Sequence, residues 1–118
     1  MALNEIYRDA YSLSYSFGTV NPAIASGDFV FVSVGLRGVA ETAAAVRLDG
    51  TFHATLRHVG VFEGDLTGAV AVGAPIYLAA AATKGRSLTT TVTGNNLVGY
   101  AVRAKGAGAG KVWVRVNN

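Results

Sequence analysis

From residue 11 to residue 17 the chain alternates without a break, with Tyr11, Leu13, Tyr15 and Phe17 on one side and Ser12, Ser14 and Ser16 on the other. A two-residue period predicts a β-strand with one face toward a core. Residues 29–34 are apolar on both sides except for Ser33, the pattern of a strand with core on one side and a neighbour on the other. Segments rich in Val, Thr and aromatics, bounded by turn residues, predict further strands near 36–41, 45–56, 75–80, 87–93, 97–104 and 111–117. Residues 57–72 are rich in glycine, lack a clean period, and are read as a loop or one short helical turn. The alanine runs at 43–45 and 79–82 are too short to nucleate helices and are read as strand ends and turns. Ahead of the first strand, residues 1–10 place Leu3, Ile6 and Tyr7 among polar neighbours and read as an N-terminal arm, leaving 11–118 as one barrel-like domain.

Three of the strand blocks occur twice, in the same order. Gly27-Asp28-Phe29-Val30-Phe31-Val32 is echoed by Gly73-Ala74-Pro75-Ile76-Tyr77-Leu78, and Leu36-Arg37-Gly38-Val39-Ala40 by Leu97-Val98-Gly99-Tyr100-Ala101. Val46-Arg47-Leu48-Asp49 returns as Val114-Arg115-Val116-Asn117. The separation of the copies grows along the chain, as expected where strands are kept and connections absorb insertions. Seven or eight short strands with an internal pseudo-repeat predict an all-β fold, a small barrel or sandwich of two related halves.

Composition narrows the function. With 118 residues and 51% hydrophobic side chains the chain can build one core, and 15 glycines against two prolines favour tight turns between strands. Only 14% of residues are charged, a thin coat for a free-standing domain, so part of the surface is expected to be covered by a partner. The absence of cysteine removes disulfides, thiol chemistry and thiolate metal sites. The start shows neither a basic leader nor an apolar run of membrane-spanning length, which reads as synthesis in a cytoplasm with no membrane partner. The formal charge of +3 comes from ten cations against seven acids, scattered singly, and suits an acidic partner without implying nucleic acid.

The candidate chemistry is sparse. Lys105-Gly106-Ala107-Gly108-Ala109-Gly110-Lys111 has the glycines of a phosphate loop but not their spacing, and Val112 follows where a Ser or Thr and a helix are needed. It reads as a hairpin loop. His53 and His58, the two histidines, point to opposite faces of a strand and have no ligand spacing. They are read as surface residues, with no metal and no cofactor. No nucleophile elbow is present, so the chain is read as no enzyme. Lys111, Trp113 and Arg115 share one face of the last strand, opposite Val112, Val114 and Val116. An aromatic between two cations could stack bases and hold phosphates. The favoured reading is that Trp113 packs under a loop or a neighbouring subunit, since one aromatic is a thin platform for bases. Tyr7, Tyr11 and the arm are candidate contact residues, since tyrosine buries area while keeping a polar handle.

Ser26-Gly27-Asp28 before a valine-rich strand, Leu48-Asp49-Gly50-Thr51-Phe52, Thr93-Gly94-Asn95-Asn96-Leu97-Val98-Gly99-Tyr100-Ala101 and the closing Val-x-Val-Arg-Val resemble the capsid decoration proteins of tailed bacteriophages, also called capsid cement or head-stabilising proteins. The chain departs from their pattern at Ala74-Pro75 and in its longer, tyrosine-bearing start. The resemblance implies a compact β-fold on the outer surface of an assembled head, commonly as a trimer touching the major capsid protein, with no catalytic residue. The expected function is thus that of a structural virion protein that stabilises the capsid lattice. Leu3, Ile6, Tyr7, Tyr11, Lys111, Trp113 and Arg115 are its candidate capsid or subunit contacts. A small barrel that binds single-stranded nucleic acid, or a head-completion or tail component, is the alternative.

Overall fold

The computed structural model describes residues 12–33, 36–79 and 82–117. The described residues form β1 (Ser12–Ser16), β2 (Phe29–Ser33), β3 (Leu36–Ala40), β4 (Ala45–Val46), β5 (Phe52–Arg57), β6 (Val59–Thr67), β7 (Pro75–Leu78), β8 (Lys84–Gly85), β9 (Ser87–Thr89), β10 (Asn96–Ala101) and β11 (Ala109–Asn117). They make an open sheet in the order β1-β5-β3-β2-β8, with β4 also on β5, and a closed barrel in the order β10-β11-β6-β9-β7. The fold is all-β.

The barrel closes around the face that the valine periodicity marks. Val112, Val114 and Val116 of β11 are buried together with Ile76, Leu78, Leu88 and Val98, and Phe29 reaches into this core from the open sheet. A second cluster of Ile24, Val30, Ala40, Ala54 and Leu56 packs under Tyr15 and Phe17, the half-buried face of the first strand. The serines of β1 face solvent, as their alternation predicts.

The two halves repeat at the level of single hydrogen bonds. Phe29 pairs with Val39 and Val30 with Gly38 in one half, Pro75 with Tyr100 and Ile76 with Gly99 in the other. The Gly27 amide donates to the Ala40 carbonyl at 2.7 Å and the Gly73 amide to that of Ala101 at 2.8 Å. Both glycines sit at positive φ, 89° and 84°, in turns closed by Asp28 on Ala25 and by Ala74 on Ala71; glycine takes this conformation without the Cβ penalty. The third strand of each half is then β5 and β11, since Val39 and Ala40 pair with Arg57 and Leu56 as Tyr100 and Ala101 pair with Arg115 and Val114. The sheet orders β1-β5-β3-β2-β8 and β6-β11-β10-β7-β9 correspond strand for strand. Only the second closes, through the parallel pairing of β6 with β9.

Three sequence expectations are corrected. Residues 57–72 are no loop: they contain β6, at nine residues as long as any described strand, paired with β11 along its whole length. Its period was hidden because an inward position is Gly64, where a Cβ would collide with Leu88 and lie 3.1 Å from the Phe29 ring. Glycine there admits neighbouring side chains and does not break the strand. The segment 45–56 is two strands, with a turn between β4 and β5. The third sequence block is misplaced, because Val46 to Asp49 lies on exposed β4 and its turn, whereas Val114-Arg115 corresponds in space to Leu56-Arg57.

Candidate contact surface

The outward face of β11 brings Lys111, Trp113 and Arg115 into one exposed row, as the alternation predicts. The pairing with β6 sets Asp65 across from Lys111, Glu63 across from Trp113 and Val61 across from Arg115. Lys111 forms an ion pair with Asp65, both half-exposed, an interaction worth little in solvent. The Trp113 indole N–H donates to a Glu63 carboxylate oxygen at 3.3 Å, and the Arg103 guanidinium lies 3.5 Å above the ring centre. Cation–π stacking of this kind covers one face of the indole. The place of Arg103, Glu63 and Asp65 beside this row was not legible in the sequence, where the two acids read only as neighbours of the histidines, since the β6–β11 register and the path of the chain after β10 bring them here.

Arg115 differs from its two neighbours. It stands beside Tyr100 of β10 and Val61 of β6, and lines with Arg37, Gly99 and Tyr100 a cleft of about 310 Å³. Tyr100 and Val61 are themselves exposed.

A second apolar feature lies on the open sheet, at the turn between β4 and β5. The turn between β4 and β5 is closed by Arg47 N–H on the Thr51 carbonyl at 2.8 Å and Gly50 N–H on the Arg47 carbonyl at 2.9 Å. Asp49 accepts from the Thr51 amide at 3.0 Å and from its hydroxyl at 2.6 Å. These bonds, the hydroxyl foremost, hold the Asp49 carboxyl below its ordinary pKa, with a smaller contribution from His53. The turn presents Leu48 wholly to solvent, with Val46 also exposed, and Val20 is exposed in the segment after β1. The hydrogen bonds of the turn fix the backbone that carries this leucine. Its apolar character was legible in the sequence, but its exposure was not.

The two histidines, expected on the surface, lie in different settings. His53 is half-buried with Nε2 2.8 Å from the Thr51 hydroxyl. His58 corrects the surface reading: only 4% of it is exposed, with Nδ1 3.0 Å from the Arg37 carbonyl and its ring edge-on to Tyr15 at 5.5 Å. A carbonyl only accepts, so this bond places a proton on Nδ1. Partial burial of its own raises the Tyr15 phenol above its ordinary pKa. Among the described residues no group of three His, Asp or Glu gathers to hold a metal.

The first four residues of the glycine-rich segment, 105–108, lie in the connection between β10 and β11, and the last three open β11, so only part of it is the expected hairpin loop. Lys105 closes it from within, its Nζ donating to the carbonyls of Gly68 at 2.9 Å, Gly106 at 3.0 Å and Gly108 at 2.6 Å. Lys105 thus holds its own loop, and Lys111, the lysine in the phosphate-loop position, pairs with Asp65. Leu3, Ile6, Tyr7 and Tyr11 lie outside the described residues.

Residues 9–116 match the family model described as Phage cement protein. The chain belongs to the phage cement proteins. No curated protein and no solved structure matches it. Membership in the cement family assigns the chain a structural part in the phage capsid and agrees with the all-β architecture. On this cement protein the row on β11 is interleaved with the acids of β6, which a nucleic acid strand would have to displace.

Proposed function

We propose that this cement protein binds the outer surface of the assembled phage head and stabilises the capsid lattice. The observation that carries the reading is the family match across nearly the whole chain. It is supported by the exposed side chains: Lys111, Trp113 and Lys105 are engaged with groups of the chain itself, whereas Leu48, Val46, Val20, Val61 and Tyr100 remain open to solvent. Such a surface serves adhesion better than turnover.

The partner is the major capsid protein, and the acting unit is a homotrimer. Three modest contact areas held at fixed spacing bind with an avidity that no single one reaches. Because the assembly binds the mature lattice better than its separated subunits, it stabilises the lattice by mass action. Residues 1–10 are the arm that drapes onto the shell, in the manner of strand addition.

The reading is tested by heating bare expanded heads with and without saturating protein while following DNA release or shell rupture. A rupture temperature that rises with occupancy supports it. An unchanged temperature at full occupancy removes the stabilising role, and deletion of residues 1–10 with unchanged occupancy removes the arm's.

A further inference from the structure

The correspondence of the two halves exposes a site around one arginine where they differ in chemistry. The Glu41 amide donates to the Thr55 carbonyl at 2.8 Å, and the Val102 amide donates to the Trp113 carbonyl at 3.0 Å, so Glu41 and Val102 are equivalent. Ser12 pairs with Arg57 as Val61 pairs with Arg115. In the first half Glu41 accepts from the Ser12 hydroxyl at 2.9 Å and from the Arg57 guanidinium at 3.4 Å. The second half keeps the arginine, while valines replace both the acid and the serine. Among the described residues Arg115 makes no ion pair.

We infer that Arg115 binds a carboxylate supplied in trans, an Asp or Glu side chain of the capsid shell subunit that seats in the cleft lined by Arg37, Gly99, Tyr100 and Arg115. This deepens the proposed function and rests on it. The carboxylate takes the role that Glu41 fills within the first half. The guanidinium offers a planar fork of donors that suits two carboxylate oxygens. Val61 and the Tyr100 ring stand beside it on the neighbouring strands, and a shell subunit closing over them would strip water from the pair and strengthen it. The chain's charge of +3 is complementary to an acidic partner. A carboxylate is favoured over a nucleic acid phosphate because Glu63 and Asp65 lie further along the same face. Asp65 already pairs with Lys111, so a polyanion running past Arg115 meets no second open cation on β11 and gains little over a single carboxylate at the end of the row.

Three variants of the full chain test the assignment by their apparent affinity for bare expanded heads. Arg115→Gln removes the guanidinium, Val102→Glu supplies a carboxylate from within the chain, and Val102→Gln matches the latter in size without its charge. Arg115→Gln and Val102→Glu should each weaken binding roughly tenfold to hundredfold, the range for a hydrogen bond to a charged group, whereas Val102→Gln should bind like wild type. Thermal unfolding confirms that each variant is folded, and Arg115→Gln carries the test alone if Val102→Glu is not. Wild-type binding with no loss in Arg115→Gln overturns the inference and leaves the proposed function standing. Wild type that does not bind heads at all overturns both. Binding of a single-stranded oligonucleotide that disappears in Arg115→Gln replaces the carboxylate with a phosphate and likewise overturns it.

Discussion

Gly38 and Gly99 occupy the same place in the two halves, each beneath an arginine carbonyl of the neighbouring strand. A Cβ on Gly38 would lie 2.5 Å from the Arg57 carbonyl oxygen, and one on Gly99 would lie still closer to that of Arg115 and 2.6 Å from the Val114 side chain. The contact is with backbone in both cases, so no rotamer change relieves it. The pseudo-repeat therefore preserves a steric requirement as well as a sequence pattern.

Gly38→Ala and Gly99→Ala are each expected to cost about 1–3 kcal/mol, the range for overpacking a well-filled interior. Denaturant unfolding of the two variants measures this. Wild-type stability in either would show that the strands separate there without cost.

Lys105→Met removes an ammonium that three carbonyls share. The expected loss is about 1.5–3 kcal/mol, from hydrogen bonds to a charged group. Faster amide exchange should accompany it at Val70 and Lys105, whose main chains bond each other in both directions at 2.9 Å.

Trp113 is the single tryptophan, so its fluorescence reports Arg103 directly. Arg103→Ala uncovers the ring face, red-shifts the emission and increases collisional quenching, with a stability loss of about 0.5–1 kcal/mol. An unchanged spectrum would mean that the stack is not held in solution.

The Asp49 turn makes a pH-dependent contribution of defined sign. The folded-state pKa lies below the ordinary value of 3.8, mainly through the Thr51 hydroxyl and amide. The contribution is therefore complete above the ordinary value and is lost as pH falls through the lower, folded one. Wild type should exceed Asp49→Ala in melting temperature at neutral pH, with the gap narrowing at acid pH. A gap that does not change with pH would contradict the assignment.

Much of the fold was legible because β-strands announce themselves by period, and β1, β2, β3, β7, β10 and β11 fall where alternation or apolar runs place them. What the pattern missed had physical causes. In β6 a glycine occupies an inward position, so the hydrophobic mark is absent although the strand is continuous. The third block was drawn to a Val-Arg pair at 46–47, while in space Arg57 matches Arg115, with a leucine in place of valine before it. The exposed row of Lys111, Trp113 and Arg115 was readable from one strand. Its partners Glu63, Asp65 and Arg103 were not, because cross-strand register is a property of two segments at once. His58 was misread for a related reason: Tyr15 covers it from a strand more than 40 residues earlier in the chain.

The central claim is most directly tested by titrating purified protein onto bare expanded heads and counting bound copies. The account predicts a saturable isotherm that levels at a fixed ratio of cement protein to capsid subunit. Binding that rises without a plateau, or no binding to intact shells, would contradict it.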